Sequence, residues 1–140
     1  MNNRLSVLVA YGSLHVGARI IRNLAQFPQV DVIGQSREAD DAVFLIKTQK
    51  PRLVIADIAL ERGTGVDVLR QVKAITHPPL VIITSESWFP QDRRECLKAG
   101  ADYYFRLPHE MDDLENVIGG LAHAKPDGTW GARTSGTERV

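Results

Sequence analysis

The stretch Pro51–Val72, PRLVIADIALERGTGVDVLRQV, decides how the rest of the chain is read. Leu53-Val54-Ile55-Ala56 is apolar at every position, too short for a helix and without the alternation of a strand that has one wet face. Such a strand has both faces covered, as in a parallel sheet flanked by helices. Asp57 ends the run. An unpaired carboxylate is too costly for a core, so the residue belongs at the strand's carboxyl edge, where a loop-capping role is one reading. After the loop 58–65, Val66, Leu69, Val72 and Ile75 recur at three-residue intervals, which marks one face of a helix. Thr64, with Asp67 three residues on, supplies a capping box at its start.

The same strand-then-helix unit repeats in both directions. Upstream, Leu5–Ala10 (LSVLVA) is a strand, and Val16, Ile20, Ile21, Leu24 and Phe27 mark a helix that Pro28 closes. Val30–Gln35 is a second strand; Ala42, Leu45, Ile46 and Gln49 line a helix stopped by Pro51. Downstream, Pro78-Pro79 introduce the strand Leu80–Thr84, and a helix from about Gln91 to Ala99 ends at Gly100. Asp102–Leu107 is the fifth strand, and Leu114, Val117, Ile118 and Leu121 form the stripe of the last helix. Five strands alternating with five helices predict an α/β fold, a doubly wound five-stranded parallel sheet. That domain is expected to span residues 4–122. Residues 123–140 are expected to be a flexible tail: from Lys125 onward (KPDGTWGARTSGTERV) no apolar period survives, and Trp130 is its lone aromatic.

Composition removes several function classes. In 140 residues, 17 Lys and Arg balance 17 Asp and Glu, which argues against a general nucleic-acid surface while leaving room for a local basic patch. No segment after the fifth helix suits a helix-turn-helix unit, so DNA binding by this chain is not expected. One cysteine, Cys96, rules out an internal disulfide or multi-cysteine zinc site, and its helix position suits a small buried hydrophobe. His15, His77, His109 and His123 show no metal-ligand spacing. No apolar run approaches the roughly 20 residues of a membrane span, so a cytoplasmic protein without membrane contact is expected. Gly63 and Gly65 lie after the third strand, where a turn suffices and no phosphate loop is formed. With no nucleophile–base arrangement either, the chain is not expected to be an enzyme.

Ligands of an open α/β sheet sit at the carboxyl ends of its strands. Here those ends carry Tyr11-Gly12-Ser13, Asp57, Thr84-Ser85-Glu86 and Arg106-Leu107-Pro108. Together with Pro51–Val72, the segments Pro79–Ser87 (PLVIITSES) and Cys96–Pro108 (CLKAGADYYFRLP) resemble, in register, the receiver domain of bacterial two-component response regulators. The resemblance runs from about Arg4 to Leu121, and the overall length is similar to that of stand-alone receivers. It implies the (βα)5 flavodoxin-like receiver fold and a histidine kinase as partner. It also implies a phosphoacceptor at Asp57, a backbone carbonyl for Mg²⁺ at Ala59, a switch hydroxyl at Thr84 and a switch aromatic at Tyr104.

The departures from that pattern decide the functional expectation. Tyr11 and Gly12 stand where receivers carry the acidic pair that holds Mg²⁺, and Leu107 replaces the strand-five lysine. Arg106 is adjacent, but a neighbour in a strand points to the opposite face. Without these charges a degenerate pocket is expected, one that needs no cofactor and signals by protein contact. An active phosphoacceptor, with Mg²⁺, is the other reading. Tyr11 is expected across the cleft with its hydroxyl on Asp57, and Leu107 as an apolar wall. Desolvation would raise the Asp57 pKa and a hydroxyl bond would lower it, and the sequence leaves that balance open. Trp88-Phe89 either pack over the fourth helix or, with Tyr103 and Arg106, form a surface for a kinase, another signalling protein or a second copy.

Overall fold

The computed structural model describes residues 4–123, so the expectations for the tail and Trp130 lie outside the described residues. The elements run β1 (Leu5–Ala10), α1 (Leu14–Leu24), β2 (Val30–Ser36), α2 (Ala39–Gln49), β3 (Leu53–Asp57), α3 (Gly65–Lys73), β4 (Leu80–Ser85), α4 (Pro90–Lys98), β5 (Tyr103–Arg106) and α5 (Met111–Ala122). All pairings are parallel, and the strand order is β2-β1-β3-β4-β5. The chain winds outward from β1 to β2, then reverses through β3 to β5. That reversal opens a crevice between β1 and β3, the place where such sheets bind ligands.

Strand parity sorts the core into two layers. Val7, Val9, Ile55, Ile82 and Phe105 face α1 and α5, packing on Ile20, Leu24, Leu114 and Ile118. Leu8, Val54, Val81 and Ile83 face the other way, onto Ile46, Leu69, Val72 and Cys96. Successive side chains leave a strand on opposite faces, so a run apolar throughout feeds both layers. The first helix ends at Leu24 rather than Phe27, whose ring packs on the α1–α5 layer from the turn beyond.

The capping box forms as the spacing predicts. Thr64 Oγ1 accepts from the Asp67 N–H at 3.1 Å, and the Asp67 carboxylate accepts from the Thr64 N–H at 3.0 Å. Thr64→Ala is expected to lower stability by about 1 kcal/mol, read as a lower urea midpoint with unchanged slope. An unmoved midpoint would mean that water serves the freed N–H equally well.

Candidate functional site

Asp57 is the last residue of β3 and lies opposite Thr84 in the β3–β4 ladder. It is 6% exposed, and its Oδ1 accepts the Ala59 N–H at 3.4 Å. Burial pushes its pKa up to about 6, against the pull of the Ala59 and Ile58 N–H groups, and the charge of Glu86 adds to the rise. Desolvation therefore wins the balance that the sequence left open. Thr84 beside it is fully buried, and its hydroxyl has no hydrogen-bond partner among the described residues. Gly65 lets α3 begin against this strand: a Cβ there would lie 2.5 Å from the Asp57 carbonyl oxygen.

Gly12 meets the loop after β3 backbone to backbone. A Cβ at Gly12 would lie 2.6 Å from the Ala59 carbonyl oxygen and 2.9 Å from the Leu60 carbonyl carbon. Arg37 closes this edge, donating to the Gly12 carbonyl at 2.8 Å and pairing with Glu61 at 2.8 Å. Sequence reasoning missed Arg37. It follows the carboxyl end of β2, and that position was the only signal available.

Tyr11 does not lie across the cleft. Its hydroxyl donates to Gln35 Oε1 at 2.7 Å, and its ring is buried in the α1–α5 layer against Gly17. Residue 11 continues the set of Val7 and Val9, the face that residue 57 shares with Leu53 and Ile55. It is the packing of its ring on α1 and its bond to Gln35, not strand parity, that commit the hydroxyl elsewhere than Asp57. Leu107 is buried in that same layer.

Tyr104 is turned inward and buried against the opposite layer, where burial holds its pKa above the ordinary value. The Ser85 hydroxyl lies beside the Tyr104 hydroxyl and favours its ionised form, although the two do not meet in normal hydrogen-bond geometry. The Arg93 guanidinium sits 5.0 Å above the Tyr104 ring, and its Nη1 donates to the Tyr104 carbonyl. Arg93 also pairs with Glu110 at 2.8 Å, and Glu110 accepts from the Arg106 N–H. These contacts tie α4, β5 and the start of α5 into one surface.

On that surface Trp88 and Phe89 are 63% and 64% exposed, which settles against packing beneath the fourth helix. Trp88 stacks under the Arg106 guanidinium at 3.5 Å and meets His109 edge-on at 4.9 Å. Tyr103 is not on this surface. It is 4% exposed and stacked on Phe105, because it shares strand parity with Phe105 and Leu107. Among the described residues, no three His, Cys, Asp or Glu side chains are grouped to hold a metal ion.

A family model, the response regulator receiver domain, matches residues 15–119. The chain belongs to that family. This receiver is 28% identical over 99 residues to the transcriptional regulatory protein CitB of Klebsiella pneumoniae, covering 71% of this chain and 42% of that one. It is 32% identical over 88 residues to the virulence transcriptional regulatory protein PhoP of Salmonella choleraesuis, covering 61% of this chain and 37% of the other. It thus spans less than half the length of these curated relatives. The signal receiver domain of NarL from Mycobacterium tuberculosis superposes with a TM-score of 0.78 at 20% identity, covering 87% of this chain and 98% of that one. That match establishes the five-stranded receiver fold. No helix among the described residues is long and apolar enough to cross a membrane.

Proposed function

We propose that this receiver signals by contact with a protein partner and that its acceptor pocket is not set by Mg²⁺-dependent phosphoryl transfer. The observation that carries the reading is the backbone contact at Gly12. Mg²⁺ takes oxygen ligands in near-octahedral geometry. The pocket offers the Asp57 carboxylate and the Ala59 carbonyl. Gly12 supplies no carboxylate, and any side chain there would run into that carbonyl at 2.6 Å. Glu61 is held by Arg37 on the outer edge. This donor set does not fit Mg²⁺.

Phosphoryl transfer is catalysed largely by neutralising charge on the transferring oxygens. Leu107 presents hydrocarbon where the family pattern has a lysine, and no cation is among the groups that shift Asp57. A phosphoaspartate would therefore form slowly and be poorly held. The exposed Trp88 and Phe89, with the half-buried Arg106 stacked on Trp88, are the contact surface, for a histidine kinase, another signalling protein or a second copy. Nucleic acid and membrane have no part in this reading.

The test is intact mass after incubation with acetyl phosphate and Mg²⁺, with Asp57→Asn in parallel. No gain is expected in either protein while circular dichroism reports a folded chain. Gain of one phosphoryl group, absent in the variant, overturns the proposal. The second reading, an active phosphoacceptor, rests on the unpartnered Thr84 hydroxyl beside Asp57 and the inward Tyr104. The same mass measurement decides between them.

A further inference from the structure

A cleft of about 690 Å³ opens at the amino-terminal ends of the strands, at the opposite end of the sheet from Asp57. Its size falls within the range of small-molecule sites, about 300–1,000 Å³. The floor is apolar, built from Leu5, Ile46, Leu80 and Leu121. Lys47, Lys50 and Arg52 stand around it with His77, and no acidic residue lines it. Those three cations form no ion pair among the described residues. In a chain of zero formal net charge, three unneutralised cations around one apolar floor are a local concentration of positive potential.

The backbone adds an independent observation. Among the described residues, the non-glycine residues with positive φ are Lys50 at 51° and His77 at 55°, and both line this cleft. Lys50 ends α2 in the left-handed conformation, a position where glycine is the ordinary choice. A side chain there costs on the order of 1 kcal/mol or more of strain. At each lip the chain bears that strain and keeps a polar, nitrogen-bearing side chain where glycine or asparagine would sit more easily. Attraction to the carboxyl end of α2 accounts for Lys47 and Lys50. It does not account for Arg52 or His77, which lie off that helix.

We infer that this cleft binds a small organic anion with an apolar body, of the aryl or alkyl carboxylate or phosphate class. The body would lie on Leu5, Ile46 and Leu80. The anionic head would take N–H donors from Lys47, Lys50 and Arg52, with the His77 ring as a further donor. A neutral ligand of the same shape leaves those cations unmatched, so charge selects the ligand more than shape does.

Naphthoate is a suitable probe, with naphthalenemethanol as its uncharged counterpart, and ¹⁵N–¹H correlation spectra of the full chain as readout. Naphthoate is expected to shift the amides of residues 46–52 and 75–80 saturably, with a dissociation constant below about 1 mM. Naphthalenemethanol should bind at least about tenfold more weakly. Lys50→Gly removes a cation and relieves the backbone, so it is expected to melt no lower than the parent yet lose about tenfold in affinity. Arg52→Gln should lose a similar factor. The inference is overturned by the absence of saturable shifts at those amides, by equal binding of the alcohol, or by unchanged affinity in both variants. Shifts of the same amides with protein concentration alone also overturn it, since a second copy would then cover the cleft.

Discussion

Asp57→Asn is expected to stabilise the protein by about 2–3 kcal/mol at pH 7, a gain in melting temperature of roughly 10 °C. The cause is the burial that raises the Asp57 carboxyl from 3.8 to about 6 without a cation to offset it. A raised pKa means that the folded state binds the proton more tightly than the unfolded chain does. The stability linked to this group is therefore complete below about pH 3.8, falls as pH rises, and is lost above about pH 6. Asparagine keeps the shape, accepts the Ala59 N–H and carries no charge to desolvate. The gain over the parent should be small at pH 4 and grow to a plateau near pH 7. Urea denaturation of both proteins across that range measures it. A difference that is flat with pH, or a variant less stable at pH 7, would falsify the account of a desolvated, uncompensated carboxylate.

Gly17→Ala is expected to destabilise the protein by about 2 kcal/mol, although the same change inside a helix ordinarily gains about 1 kcal/mol. A Cβ at residue 17 would lie 2.5 Å from two atoms of the Tyr11 ring. That ring has little freedom to retreat, since it is buried in the core and its hydroxyl is held by Gln35. Removing the ring should reverse the sign. In a Tyr11→Ala background, itself costly through the cavity it leaves, Gly17→Ala is expected to be neutral or stabilising. The coupling between the two sites should be about 2–3 kcal/mol. A four-protein denaturation cycle gives it directly, and an equal cost in both backgrounds sinks the idea that Tyr11 and Gly17 are packed as a pair. The result bears on function as well. Tyr11 follows the carboxyl end of β1 on the same sheet face as Asp57, and its packing on α1 with its bond to Gln35 is what commits its hydroxyl elsewhere than Asp57.

The fold was legible because burial repeats along the chain. LVIA in β3 and LVIIT in β4 could be placed from consecutive apolar residues alone, and the α3 cap from Thr64 and Asp67. The site was legible in part. Asp57, Thr84 and Leu107 fall where strand ends must bring them, since parallel strands carry their carboxyl ends to one edge of the sheet. Tyr103 was misplaced, yet the signal to place it was present: it alternates in phase with Phe105 and Leu107, so it had to turn inward.

By itself, then, the sequence determined the order and type of the elements, the sheet class, and the presence of Tyr11, Gly12 and Leu107 beside the carboxyl ends of the first and fifth strands. These are properties of single residues or of short periods, and they survive without a partner in space. Only the tertiary structure decided that Tyr11 bonds Gln35 instead of Asp57, that Arg37 closes on the Gly12 carbonyl, and that Asp57 is left desolvated. The basic cleft is of the same kind, assembled from residues 46–52 and 75–80 with single residues from β1 and α5. Each of these depends on contacts between segments far apart in the chain. Such contacts impose no period on the sequence, and their energies come from distances and burial that exist only once the layers have packed.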